Sequence, residues 1–191
     1  MVRTVWIVQH ARKETGPGDP SLTPEGRAQA VLVAEALRGC GAGRLLTSPL
    51  LRTRQTAQPL ASALDLEPEV DDRLLERMNW DGSVSIETFL RDWDACTADR
   101  TFVPCIGRSS VDAGGTFASL VRELLDGAVD VVAVSHGGVT VDGLRTLVGD
   151  ERLSQLLPTW QDGVPPAGIT TITGSVDDVQ VVAVGDTAHL H

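Results

Sequence analysis

Two apolar runs of strand length, each ending in polar residues, most limit the folds that are open to this chain. The first run covers residues 4–9, and the second covers residues 129–135 with Asp130 as its one charged member. β-Branched and aromatic residues fill the first run, which is typical of a strand. A strand that is apolar on both sides must be covered on both faces, as in the centre of a parallel sheet. The two runs therefore predict a central, largely parallel sheet.

Signals for helix starts separate these strands. Thr23 is a favourable N-cap and Pro24 suits a first helical position, and Ser48 with Pro49 repeats the same pair later in the chain. Helices are predicted over residues 24–38, 49–64, 116–126 and 137–148, and further strands over residues 45–47, 169–173 and 179–184. This alternation predicts an α/β fold with a mostly parallel central sheet and helices on both faces, which is a three-layer αβα architecture.

The length of 191 residues suits one domain with a buried core. No linker or internal repeat divides the sequence, and we therefore expect a single domain over residues 1–191. Residues 84–110 show a weaker periodicity than the rest of the chain. We expect an irregular insertion there, with some helix, which could act as a lid.

The charge of the chain limits its partners. A net charge of −10 repels nucleic acids and anionic membranes, so we expect neither as a partner. No apolar run approaches the roughly 20 residues that span a bilayer, and the N-terminus lacks the pattern of a signal peptide. We therefore expect a cytoplasmic protein. A small phosphorylated molecule can still bind where a few cations line a pocket, and the sequence leaves both a monomer and a homodimer open.

Polar clusters follow three of the predicted strands. Gln9 and His10 end the first strand, Ser48 and Arg52 follow the second, and His136 follows the strand over residues 129–135. Ligands of open α/β sheets bind beyond the carboxyl ends of the strands, where helix N-termini also favour anions. Two histidines and one arginine are thus predicted to converge on a site that suits phosphate.

Two other chemistries fit the sequence less well. His10, His136 and Glu76 could supply three metal ligands, but the histidines have no metal-binding spacing and the nearby Arg52 would oppose a cation. The three cysteines are odd in number and form no CxxC pair, which disfavours disulfides and structural zinc. We therefore expect no metal. A serine hydrolase of the α/β type would need a GxSxG turn, which is absent, so the sequence does not support that chemistry either.

A covalent phosphoryl transfer is consistent with these residues. A neutral imidazole such as that of His10 can attack phosphorus, and Arg52 with His136 can stabilise the charge on the transferred oxygens. A carboxylic acid, here Glu76, can protonate the leaving oxygen and then activate water. Histidines at strand ends are often structural, so the residues by themselves leave this hypothesis and a structural role both open.

The order of short motifs along the chain resembles that of the histidine phosphatase (phosphoglycerate-mutase-like) superfamily. The first histidine motif is Gln9-His10-Ala11, and the second is Ser135-His136-Gly137-Gly138. The intervening and final segments that match are residues 22–26, 47–57, 75–82, 114–116 and 185–190. The matches span nearly the whole chain, and the resemblance implies a phosphoglycerate-mutase-like fold.

The resemblance also implies a role for each site residue. His10 would become a phosphohistidine, Arg52 and His136 would hold the phosphoryl oxygens, and Glu76 would act first as proton donor and then as base. The N–H of Gly137 would add a hydrogen-bond donor, with no cofactor required. The implied enzyme is a phosphatase of the histidine acid phosphatase type, acting on a small phosphorylated metabolite. A mutase is less expected because residues 84–110 are few for gripping a substrate with two phosphates.

One position departs from the family pattern in a way that bears on activity. Gln9 stands where the family has an arginine before the nucleophile, so the site loses a fixed positive charge. Arg12 could turn towards the site and replace that charge. The alternative is that Arg12 is a solvated loop residue. Gln9 and Arg12 are both candidate substrate-binding residues. The alternatives to a working phosphatase are a degenerate member that binds a phosphorylated ligand or partner, and a member adapted to a non-standard substrate.

Overall fold

A computed structural model describes residues 2–191 as one sheet flanked by helices. The strands are β1 (Arg3–Gln9), β2 (Arg44–Thr47), β3 (Pro68–Val70), β4 (Val131–Ser135), β5 (Ile169–Ser175) and β6 (Asp178–Asp186). The helices are α1 (Pro24–Leu37), α2 (Leu51–Leu64), α3 (Ile86–Ala98), α4 (Ser110–Asp126) and α5 (Gly137–Leu156). None of these helices is long and apolar enough to cross a membrane, within the part of the chain that is described.

The strand order is β3-β2-β4-β1-β5-β6. Strands β3, β2, β4 and β1 run parallel, and β5 and β6 each run antiparallel to the strand before them in that order. The predicted mostly parallel sheet is thereby confirmed. Gln9 lies beside Ser135, and Thr47 lies beside Val134, so the carboxyl ends of β1, β4 and β2 lie level at one edge.

Side chains alternate between the two faces of the sheet, as the pleat of a strand requires. Ile7 and Ala133 face a core that α4 and α5 cover, whereas Val8 and Val134 face a second core beneath α1 and α2. Both faces are therefore buried, which explains why β1 and β4 read as continuous apolar runs. The predicted three-layer αβα architecture is confirmed.

Several boundaries differ from the sequence-based expectations. Helix α4 begins at Ser110 rather than at residue 116, because Ser109 caps it by accepting a hydrogen bond from the N–H of Asp112. Helix α5 continues past residue 148, but Gly149 interrupts it with a φ of 78°, a left-handed conformation that glycine adopts without strain. The helix expected within residues 84–110 is α3, which Ser85 caps.

The start of α2 corrects the prediction of a Ser48 cap. The helix begins at Leu51, and its cap position, Leu50, offers no side-chain hydrogen bond. The carboxylate of Asp19 instead accepts the N–H of Leu51, with oxygen–nitrogen distances of 2.7 and 2.9 Å. The cap therefore comes from a loop distant in sequence, which local patterns could not reveal.

Helices α4 and α5 cross so closely that Gly143 has no room for a side chain. A Cβ atom on Gly143 would overlap Cδ1 of Phe117, which is fully buried.

We expect Gly143→Ala to lower the free energy of unfolding by about 1–3 kcal/mol, because an overpacked core has to distort. Gly115→Ala is the matched control, since nothing lies within 4 Å of a Cβ there. The control should change stability by less than about 1 kcal/mol. Urea unfolding measures both, and equal effects would contradict the close crossing.

Candidate active site

His10 follows β1 directly and is held in a neutral form. Its Nδ1 lies 2.9 Å from the carbonyl oxygen of Ala11. A carbonyl can only accept, so Nδ1 carries the hydrogen and Nε2 of the neutral ring keeps its lone pair. Burial lowers the pKa of His10 from 6.5 to about 4, with Arg52 and Lys13 adding to the shift and the Ala11 hydrogen bond opposing it. At neutral pH the ring is therefore an uncharged nucleophile with Nε2 free.

Arg52 lies in the first turn of α2 and is 3% exposed. One Nη2–H donates to Oδ1 of Asn79 at 3.0 Å, and Nη1 lies 3.6 Å from a carboxylate oxygen of Asp19. The Nε and Nη1 atoms are buried without any hydrogen-bond partner. Buried N–H donors that lack an acceptor are costly, and charged donors more so. Arg52 is thus prepared for an anion that supplies the missing acceptors.

His136 ends β4 and is fully buried beside His10. The two ring centroids are 5.3 Å apart, and Nε2 of His136 lies 2.9 Å from Oγ of Ser48. Its Nδ1 is buried without a partner. Burial holds the pKa of His136 well below 6.5, and the charges of Arg52 and His10 act in the same direction. His136 is therefore a neutral hydrogen-bonding group, and Arg52 carries the charge.

The carboxylate of Glu76 lies on the first turn of α5. It accepts the N–H groups of Gly138 at 3.1 Å and Val139 at 2.7 Å, together with that of Arg77 at 2.8 Å. A Cβ on Gly138 would lie 2.7 Å from Oε1 of Glu76, so the glycine makes this approach possible. Helix N-termini attract negative charge, and here a protein carboxylate takes that place. The N–H of Gly137 takes no part in these bonds.

An ion pair behind Glu76 supports this arrangement. Arg77 donates to both carboxylate oxygens of Asp142, at 3.0 and 3.2 Å, and its guanidinium lies 4.2 Å from the ring centre of Trp93. Both charged side chains are buried. Burial raises the pKa of Asp142 to about 6, and Arg77 and Ser110 oppose that shift. The pair fixes the backbone next to Glu76 and the ring of Trp93 together.

One cavity of about 480 Å³ adjoins these groups, and His136, which is fully buried, does not line it. His10, Arg52 and Glu76 line it, along with Lys13, the one lysine of the chain. The other lining residues are Thr15, Gly16, Gly18, Pro20, Met78, Asn79, Trp80, Ile86, Phe89, Leu90 and Trp93. Among residues 2–191, no group of three or more His, Cys, Asp or Glu side chains is arranged to hold a metal ion. The cavity therefore combines a nucleophile, two cations and a carboxylate with a largely apolar wall.

The remaining predicted site residues lie at different distances from this cavity. Gln9 is 7% exposed and its Oε1 is buried without a partner, while its Nε2 would lie 3.5 Å from a Cβ on Gly137. Neither Gln9 nor Gly137 lines the cavity. Arg12 bonds Glu25 at 2.6 Å on the surface, with both side chains more than half exposed. The structure thus places the Arg12 charge outside the site, which gives no support to the expected replacement of the missing arginine.

Sequence reasoning missed three residues that surround Arg52. Lys13 lines the cavity, Asn79 accepts a hydrogen bond from Arg52, and Asp19 both faces Arg52 and caps α2. The position of Lys13, in the loop just after the nucleophile strand of a chain with no other lysine, was the available signal. Asn79 and Asp19 carried no comparable signal, because their roles depend on the packing of two loops.

Comparison with known proteins identifies the same architecture elsewhere. The family model described as histidine phosphatase superfamily (branch 1) matches residues 3–187. A probable phosphoglycerate mutase of Yersinia enterocolitica is 42% identical over 73 residues, which cover 38% of this chain and 33% of that protein. The matched part thus spans about a third of the length of this curated relative.

Solved structures are similar over almost the entire chain. The mycobacterial glucosyl-3-phosphoglycerate phosphatase in complex with inorganic phosphate has a TM-score of 0.75 and 25% identity, covering 99% of this chain and 100% of that one. The phosphoglycerate mutase of Bacillus anthracis has a TM-score of 0.76 at 17% identity, covering 99% of this chain and 95% of that one. The second likeness concerns the fold alone.

The neutral state of His10 can be tested directly. We expect its Cε1–H NMR signal to remain that of a neutral ring at about pH 5.5, where an unperturbed imidazole is mostly protonated. Burial beside Arg52 and Lys13 is the cause, since it lowers the pKa of His10 to about 4. Comparison with the spectrum of His10→Gln assigns the signal. A midpoint at or above 6.5 would show that the ring is not held in this environment.

Proposed function

Because the chain belongs to the histidine phosphatase superfamily, branch 1, we propose that it is a phosphomonoester hydrolase acting on a small phosphorylated metabolite through a phosphohistidine at His10. The family, the similar phosphatase structure and the partial sequence match to a probable mutase support an enzyme of the phosphatase or mutase type. The observation that carries the proposal is the pairing, in one cavity, of a free Nε2 on His10 with the unsatisfied buried donors of Arg52.

The first step transfers the phosphoryl group to the protein. Nε2 of His10 forms a bond to phosphorus as the bond from phosphorus to the ester oxygen breaks. The carboxyl group of Glu76 acts as the general acid that gives a proton to the leaving oxygen, and the alcohol departs. Arg52 donates Nε–H and Nη1–H to the transferred oxygens, so both of its orphaned donors gain acceptors. Such preorganised donors are worth most where water is excluded, as around these buried groups.

The second step returns the site to its starting state. A water molecule attacks phosphorus, Glu76 takes one of its protons, and the bond from phosphorus to Nε2 breaks. Inorganic phosphate leaves, and His10 regains the neutral form with its hydrogen on Nδ1. The reaction needs no metal and no redox step. His136 donates a hydrogen bond to the phosphoryl oxygens once the negative charge of the phosphate favours its protonation.

The positive charge that Gln9 fails to supply comes, in this proposal, from Lys13. Lys13 shares the cavity with Arg52 and His10, and burial lowers its pKa, with the charge of Arg52 adding to that shift. Because Arg52 and Lys13 line the same cavity, both can act on one anion bound there. A lysine is a point charge on a flexible stem, so it binds phosphate without the fixed fork of an arginine.

The second candidate function is that of a non-catalytic phosphate-binding protein. Its motivation is Gln9, whose Oε1 is buried without a partner beside the site. Such a protein would use the same donors of Arg52 to bind a phosphorylated ligand or partner without turning it over. The experiment that follows separates the two functions, because only the enzyme forms a covalent adduct.

A phosphohistidine should be trapped at His10. We expect rapid acid-free quenching during turnover of a labelled phosphomonoester to yield an acid-labile adduct on the His10 peptide, and His10→Ala to abolish both adduct and phosphate release.

Arg52→Ala should lower kcat by about 100- to 1000-fold, because the donors for the transferred oxygens are lost. Arg54→Ala is the matched control on the same helix, since Arg54 lies outside the cavity.

Each other outcome has a definite meaning. A wild-type protein that releases phosphate but never labels His10 would overturn the covalent mechanism. A wild-type protein that binds inorganic phosphate without turnover, and gains activity on Gln9→Arg, would favour the non-catalytic candidate. Equal loss of activity in Arg52→Ala and Arg54→Ala would contradict the role given to Arg52.

A further inference from the structure

The cavity lining combines charged or titratable side chains with apolar ones. His10, Arg52, Lys13 and Glu76 form the first group, called here the polar end, where Arg52 and Lys13 both act on the pKa of His10. The remaining wall consists mainly of apolar side chains, which are Met78, Trp80, Ile86, Phe89, Leu90 and Trp93. On the proposed function, the phosphoryl group occupies the polar end. The organic part of the ester then has to meet the apolar wall.

The apolar wall is held in place by contacts outside the cavity. Trp93 lies against the guanidinium of Arg77, which is itself bound to Asp142, and the rings of Phe89 and Trp93 are 6.0 Å apart. The indole N–H of Trp80 donates to the carbonyl oxygen of Val84 at 2.9 Å. The polar atom of Trp80 is thus satisfied, which leaves its ring to present an apolar face. The wall is a formed surface rather than a set of loose side chains.

Two residues of the apolar wall expose apolar surface to water, and a bound apolar group would cover that surface. Ile86 and Leu90 lie one turn apart on α3 and are 39% and 53% exposed. Helix α3 buries only Asp92 and Cys96 in the rest of the protein. Phe89 and Trp93 on the same face are already partly buried, so the further burial that a ligand in the cavity would provide falls mainly on Ile86 and Leu90.

No charged residue of α3 lines the cavity that could pair with a carboxylate on a ligand. Arg91 lies next to Leu90 in sequence, but it bonds the carboxylate of Asp92 at 2.9 Å and lies outside the cavity. Both cations of the cavity, Arg52 and Lys13, are at the phosphoryl end. Because the hydroxyl and amide side chains of the lining are limited to Thr15 and Asn79, a substrate whose organic part carries a carboxylate or many hydroxyls would leave most of those groups without partners.

From this division we infer that the substrate is the monophosphate ester of an apolar alcohol, with an aromatic ring as the group that best fits the wall. The inference rests on the proposed function and adds the class of the leaving group to it. Flat rings pack against Trp80, Phe89 and Trp93 in offset or edge-to-face contacts, which add to simple burial. The volume of about 480 Å³ suits a phosphoryl group with a compact organic part rather than a large polar one.

The test compares esters with the same primary alkyl attachment, so that leaving-group reactivity is similar. We expect kcat/KM for 3-phenylpropyl phosphate to exceed that for glycerol 3-phosphate and for 3-phosphoglycerate by about 10- to 100-fold, the range expected from burying one ring. If the wild-type protein hydrolyses these esters but prefers either polar one, the inference is overturned and the phosphatase proposal still stands.

A pair of variants locates the preference on the apolar wall. Leu90→Arg places a cation there, and it should lower kcat/KM for 3-phenylpropyl phosphate by about tenfold and raise that for 3-phosphoglycerate. Leu32→Arg is the matched control, since Leu32 is 41% exposed on α1 and lies outside the cavity. The control should change neither value. Both positions are exposed, so the arginines are not expected to prevent folding. An unchanged preference in Leu90→Arg would contradict the assignment of the wall.

A binding measurement keeps the inference separate from catalysis. Calorimetry compares 3-phenylpropylphosphonate with 3-carboxypropylphosphonate, which cannot be hydrolysed and differ only at the end that faces the wall. Tighter binding of the phenyl compound supports the inference even where no ester is turned over, an outcome that would overturn only the phosphatase proposal. Equal binding, or tighter binding of the carboxylate, overturns the inference.

Discussion

The level pairing of β1, β4 and β2 is the constraint on which the site depends. Gln9 lies beside Ser135 and Thr47 beside Val134, so the residues that follow each strand emerge at one edge. That register brings the rings of His10 and His136 to a centroid distance of 5.3 Å. A slip of one residue in β4 would exchange its two buried faces and move His136 away. The apolar cores on both sides of the sheet thus fix the catalytic geometry as well as the fold.

Protein carboxylates occupy the helix N-termini at this edge, which changes how the site treats an anion. Glu76 binds the first turn of α5, and Asp19 binds that of α2. Both histidines are neutral because burial lowers their pKa values. In the proposed function, an incoming phosphate meets the side chains of Arg52 and Lys13 rather than helix ends. The acidity of the whole chain is compatible with this arrangement, because the attraction is confined to a small cavity.

Strand patterns and the order of motifs along the chain could be predicted from the sequence. The polar residues after apolar runs were sufficient to predict that His10, Arg52 and His136 converge, and the segment after the second helix supplied Glu76 as a candidate acid and base. The partners that long-range packing brings together could not be predicted. Asp19 caps α2 across a loop, and Arg12 pairs with Glu25 rather than turning towards the site. The apolar face of α3 was missed although its signal was present, because Ile86, Phe89, Leu90 and Trp93 recur at the spacing of one helix face.

The glutamine before the nucleophile and the apolar wall fit a single physical account. In the proposed function, an arginine at position 9 would add a second rigid, charged fork, whereas Lys13, which lines the cavity, supplies its charge from a flexible stem. Phosphoryl groups are common to all phosphomonoesters, so charge at that end contributes affinity without discriminating between substrates. Discrimination must then come from the other end of the cavity, where Trp80, Phe89 and Trp93 offer burial. A site with less fixed charge on the phosphate and more apolar surface for the leaving group obtains a larger share of its binding free energy from the part of the substrate that varies.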